Sequence, residues 1–83
     1  MKLLYFAALR SRLGMGEEDI APPPGVGTVA GLIAWQRRCG PAFAEAFREL
    51  QMVRVAVNEE YAGPEQAIGP QDEIAFFPPV TGG

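Results

Sequence analysis

Few side chains in this 83-residue sequence can do chemistry unaided. There is no histidine, so neither a histidine-dependent nucleophilic triad nor an imidazole metal site is available. The single cysteine, Cys39, makes no internal disulfide and no thiolate cluster. Gly25 and Gly27 lack the Lys-Ser/Thr pair and the preceding strand of a phosphate-cradling loop. What is left is the far end, Gly82-Gly83, where two residues without a Cβ let backbone pass through a channel too narrow for any side chain. The group it would deliver is the carboxylate of Gly83. A carboxylate is a poor electrophile, but a partner enzyme that uses ATP to form an acyl-adenylate makes it a good one. Attack by sulfur then gives a thiocarboxylate, and attack by an amine gives an amide. The chain thus reads as the bearer of a reactive group, not as a self-sufficient enzyme.

The residues before this end must position it. Residues 72–77 read as a strand, with Ile74 and Phe76 on one face and Ala75 and Phe77 on the other. Pro78 and Pro79 supply no backbone N–H, so the ladder stops there and the chain leaves in a stiff extended form. Pro78, Pro79, Val80, Thr81, Gly82 and Gly83 together reach about 20 Å at ~3.3 Å per residue, enough to cross from a docking surface into another protein's active site.

Composition narrows the partners. Seven basic and ten acidic residues give a formal net charge of −3, which argues against nucleic acid, since no basic patch is available to displace counterions. No apolar run approaches the ~20 residues that span a membrane, and the apolar start is broken by Arg10 and Arg12 with no cleavage site after it. A lone cysteine suits a reducing compartment, so a cytoplasmic protein is expected.

From the start, residues 2–8 read as a strand with Leu3, Tyr5 and Ala7 facing one side and Lys2, Leu4 and Phe6 the other. Residues 9–13 form a helical turn ended by Gly14 and Gly16, and residues 17–21 a short edge strand closed by Pro22, Pro23 and Pro24. Thr28 caps a helix running to Cys39, with Val29, Leu32, Ile33 and Gln36 as its stripe and Cys39 packing at its end. Gly40-Pro41 opens a second helical stretch over 42–50, with Phe43, Phe47 and Leu50 at helical spacing. Residues 52–58 alternate as a half-buried strand, residues 58–61 turn into a short return segment, and 72–77 closes the domain. Residues 17–19 and 59–60 read as solvated acidic stretches. One mixed sheet with a helix packed on one face buries this pattern economically. With the first and last strands as parallel central neighbours, the fold expected over residues 1–83 is a single α+β, ubiquitin-like β-grasp domain with a flexible tail at 78–83.

Helices on one face predict a polar opposite face, yet Leu4, Phe6, Ala56, Ala75 and Phe77 all fall there, and Tyr61 joins them. Either a loop covers this set or it is a partner surface. Its continuity with the tail favours the partner surface.

The closing block Asp72-Glu73-Ile74-Ala75-Phe76-Phe77-Pro78-Pro79-Val80-Thr81-Gly82-Gly83 resembles the C-terminal signature of the MoaD-type small subunit of molybdopterin synthase, of the MoaD/ThiS family. Residues 4–10 with Gly14, and residues 55–58, resemble its earlier segments. The resemblance implies that an E1-like adenylyltransferase of the MoeB type activates Gly83 with ATP, and that a persulfide sulfurtransferase supplies sulfur. It further implies that the small subunit docks on a MoaE-type large catalytic subunit, in a heterotetramer, and passes sulfur to cyclic pyranopterin monophosphate to build the molybdopterin dithiolene. The docking residues it implies are Phe6, Tyr61 and Phe77, followed by the inserted tail; Tyr61 stands where an aliphatic residue is expected. It implies no cofactor or metal bound by this chain, ATP being used by the activating partner. A ThiS-type or tRNA-thiolation carrier and a protein modifier share the same tail chemistry. A binding module with an inert end is the reading from another class.

Overall fold

The structure, a computed structural model, describes residues 1–48 and 53–78. Five strands form one sheet: β1 (Lys2–Tyr5), β2 (Glu17–Asp19), β3 (Arg54–Val57), β4 (Glu60–Ala62) and β5 (Glu73–Phe77). Three helices accompany them: α1 (Ala7–Leu13), α2 (Val29–Arg37) and α3 (Pro41–Ala46). The strand order is β2-β1-β5-β3-β4. The central pair β1 and β5 is parallel, and β1–β2, β3–β5 and β3–β4 are antiparallel. This is the mixed sheet expected of a β-grasp fold.

Strand alternation divides the sheet into two faces. Leu3, Tyr5, Val55, Val57, Ile74 and Phe76 pack against Leu9, Val29, Leu32, Ile33, Ala46 and Phe47 from the helical side. Tyr5 lies at the centre, stacked on Phe76 at 5.5 Å between centroids and meeting Phe43 edge-on at 6.3 Å. Its hydroxyl donates to Glu18 Oε2 at 2.6 Å and accepts from Gln36 Nε2 at 2.9 Å, so the polar tip of a buried ring is satisfied. Burial, then the Glu18 carboxylate, push the Tyr5 hydroxyl far above its usual range. Glu18 is therefore a hydrogen-bonded core partner and not part of a solvated stretch.

The start of α2 is tied to the loop before β5. The Thr28 hydroxyl accepts from Gly31 N at 3.1 Å, as expected of an N-cap. The N–H groups of Val29 and Ala30 donate to Gln66 and Pro64 carbonyls at 3.0 and 2.9 Å. These bonds satisfy donors that a helix cannot satisfy internally, and they hold residues 63–68 against the helix.

Several boundaries differ from expectation. The first strand ends at Tyr5, not at residue 8, because Ala7 adopts φ +53 and turns the chain into α1. Ala7 is exposed, and Leu9 takes the core position instead. Strand β2 stops at Asp19. Helix α2 ends at Arg37, and Gly40, with φ +144, swings the chain into Pro41 at the start of α3. Cys39 is left exposed and does not pack as expected; its thiol reaches only the Trp35 carbonyl, at 3.4 Å. Helix α3 ends at Ala46, and Phe47 enters the core from beyond it. Strand β3 starts at Arg54, and the expectations for Leu50 and Met52 fall outside the described residues. The return is a tight hairpin with Asn58 and Glu59 at φ +51 and +72, the left-handed pair that matches strand twist.

Candidate functional site: an aromatic-ended sheet face

The face of the sheet away from the helices carries the apolar set expected from strand alternation, and no loop covers it among the described residues. Leu4 pairs with Ala75 in register, Ala75 with Ala56, and Ala56 with Tyr61. Two alanines side by side make a low floor between taller walls. The result is a shallow concavity of about 400 Å³ lined by Leu4, Phe6, Ala56, Tyr61, Ala75 and Phe77, with Glu59 and Glu73 completing its rim.

Three rings crowd the end of this concavity where β5 finishes. Phe6 and Phe77 stack at 4.7 Å with 7° between their planes, and Tyr61 meets Phe77 edge-on at 6.3 Å. The Arg54 guanidinium carbon lies 5.9 Å from the Tyr61 ring centroid, within cation–π range. Phe6 is 41% exposed and Tyr61 71%, both unusual for large apolar groups.

Phe6 is out of place on local grounds. It holds the N-cap position of α1 in extended conformation and makes no side-chain cap bond there. Ser, Thr, Asp or Asn would supply the missing acceptor. The ring serves neither cap nor core; it lies on Phe77. Its backbone N–H donates to the Phe76 carbonyl at 3.2 Å, which extends the β1–β5 ladder beside the root of the tail.

The other end of the face is set by Asn58 and Asp72. Asn58 Nδ2 donates to Asp72 Oδ1 at 2.8 Å, its Oδ1 accepts from Glu73 N at 2.9 Å, and Asp72 Oδ2 accepts from Gly69 N at 2.7 Å. These bonds, led by that from Asn58, hold the Asp72 carboxyl below its usual range. They fasten the β3–β4 turn to the start of β5.

Of the residues expected to act, Phe6, Tyr61 and Phe77 are brought together, and Pro78 follows Phe77 as the strand ends. Pro79, Val80, Thr81, Gly82 and Gly83 lie outside the described residues. Arg54, Glu59 and Glu73 are not among the residues expected to act, although alternation sets Arg54 on the face of Ala56. Arg54 and Glu73 were detectable by spacing, each two residues from a floor alanine. Cys39 is exposed away from this face; slight burial and then Glu18 push its thiol up, which lowers its nucleophilicity at neutral pH. No group of three metal-ligating side chains occurs among the described residues, and no helix there is long and apolar enough to cross a membrane.

Comparisons with known proteins fall on this same architecture. The model of the ThiS family matches residues 3–83. A relative known as the molybdopterin synthase sulfur carrier subunit of Haemophilus influenzae is 33% identical over 87 residues, covering 100% of this chain and 99% of its own length. The Escherichia coli protein of the same name is 31% identical over 83 residues, with 100% of this chain and 99% of the relative covered. The crystal structure of SAMP1 from Haloferax volcanii superposes with a TM-score of 0.73 at 27% identity, over 100% of this chain and 98% of that one.

Proposed function

Because the chain belongs to the ThiS family, we propose that it is the sulfur-carrier subunit of a molybdopterin synthase, with Gly83 as the carried group. An E1-like adenylyltransferase of the MoeB type uses ATP to join AMP to the Gly83 carboxylate and releases pyrophosphate. A persulfide from a sulfurtransferase displaces AMP, and a thiol then cleaves the sulfur–sulfur bond, leaving a terminal thiocarboxylate. Docked on a large, MoaE-type catalytic subunit, the chain presents this sulfur to cyclic pyranopterin monophosphate. Two such transfers build the dithiolene, with catalytic residues supplied by the large subunit.

One observation supports this reading above the rest. An uncovered apolar face ends in three contacting rings, Phe6, Phe77 and Tyr61, at the point where β5 gives way to the tail. A partner that grips the rings receives the tail beside them. The floor of Ala56 and Ala75 leaves room for a partner side chain, and the shallow concavity suits a protein surface better than a small molecule. The family model bears the ThiS name, while the relatives at 31–33% identity are molybdopterin synthase carriers, which favours the molybdopterin branch over a thiazole-forming one.

Intact-mass measurement tests the chemistry. Incubation with the activating enzyme, ATP and a sulfur donor is expected to exchange one oxygen of the chain for sulfur, and deletion of Gly83 is expected to abolish the exchange without unfolding the domain. An unchanged mass, with an activating enzyme shown to be competent on another carrier, overturns the carrier reading.

A further inference from the structure

The sheet face is charged asymmetrically along its length. Glu73 shares the face of Ala75 and Phe77 by strand alternation, and Glu59 stands at the tip of the β3–β4 hairpin; both line the concavity at the end away from the rings. The Asn58–Asp72 bonds, with Asn58 N donating to the Glu73 carbonyl at 2.8 Å, hang both carboxylates from one fastened junction. Neighbouring cations are engaged elsewhere. Lys2 is the register partner of Glu73, but its ammonium lies 3.4 Å from Glu17 Oε2, and the chain's N-terminal ammonium lies 3.7 Å from Asp19. Arg54 is at the opposite end, over Tyr61. Among the described residues, Glu59 and Glu73 take part in no ion pair.

We propose that this end of the face receives a basic side chain from the docking partner. The occupant is a protein surface that sets an apolar side chain on the Ala56–Ala75 floor and an arginine or lysine against Glu59 and Glu73. The inference rests on the carrier reading above and adds to it a charged contact at the end of the face away from the tail. The rings at the tail end already make the apolar contact directional, and charge at the other end reinforces that direction. With two carboxylates at one end and Arg54 at the other, a partner cation fits in one direction only, and reversal places it against Arg54. Exposed charges of this kind act more on encounter and orientation than on final affinity.

The test is the association rate of the full chain with the purified large subunit of the synthase, at low salt and at about 1 M salt. Glu59→Lys and Glu73→Lys are each expected to slow association about tenfold at low salt and to come within about twofold of wild type at high salt. Glu65→Lys makes the same charge change in the exposed loop tied to α2, and is expected to associate like wild type. Charge reversals at 59 and 73 that behave like Glu65→Lys overturn the inference. If Phe77→Asp abolishes binding in that same experiment, the carrier reading stands and only the basic contact is lost. If Phe77→Asp also binds normally, the docking face itself is wrong. A second copy could pair Arg54 with these carboxylates in antiparallel fashion; a self-dimer seen by light scattering without partner, and dissolved by Glu73→Lys, overturns the proposal in that direction.

Discussion

Replacing Phe6 separates docking from folding, because its ring is divided between the two. With 41% of the residue exposed, about 80 Å² of a ring that can bury ~200 Å² is available to a partner. At ~25 cal/mol per Å² this is about 2 kcal/mol, or roughly a 30-fold loss of affinity for the large subunit in Phe6→Ala. The remainder lies on Phe77 at 4.7 Å, and losing that stack costs about 1 kcal/mol, lowering Tm by about 4–8 °C. Phe6→Ser tests the division. Serine supplies the cap acceptor that α1 lacks, contributing about 1 kcal/mol, so its Tm is expected near wild type while its affinity falls as in Phe6→Ala. Calorimetric titration against the large subunit, with thermal unfolding of each variant, measures both quantities. The reasoning is refuted if either variant binds within about twofold of wild type, or if Phe6→Ser regains affinity along with Tm.

Three further substitutions have expected outcomes. Tyr5→Phe leaves the buried Gln36 amide and Glu18 without their shared partner, at a cost of about 1–3 kcal/mol in denaturant unfolding. Because the folded-state tyrosine titrates above its unfolded value of ~10, the wild type loses stability as pH rises past that value, and Tyr5→Phe is expected to show a shallower alkaline slope. Asp72 titrates below its unfolded value, so its contribution is present at neutral pH and is lost as pH falls through the folded-state range; urea midpoints of Asp72→Asn are expected to fall less on acidification than those of wild type. Cys39→Ser is expected to acquire sulfur as fully as wild type in the intact-mass assay, and a loss of loading would move the sulfur chemistry to that thiol.

The sequence alone determined what depends on short-range pattern. Period-two alternation at Leu3/Tyr5, Val55/Val57 and Ile74/Phe76 separated core from outer face, and the Thr28 cap with its stripe to Gln36 located the main helix. The apolar surplus at Phe6, Ala56, Tyr61, Ala75 and Phe77 was legible for the same reason: a strand cannot hide which face a residue takes. Tertiary structure decided the rest. Ala7 at φ +53 is not a residue type that announces a left-handed turn, so the early end of β1 and the placement of Phe6 as an acceptor-free cap were invisible to propensity. Glu18 looked solvated until Tyr5, thirteen residues away, brought a hydroxyl to it. Cys39 followed a helical stripe on paper, but Gly40 turned the chain before that stripe reached the core. Above all, register across β1, β5, β3 and β4 sets Phe6 on Phe77 and Glu59 beside Glu73, pairings between segments up to 71 residues apart that no local period encodes.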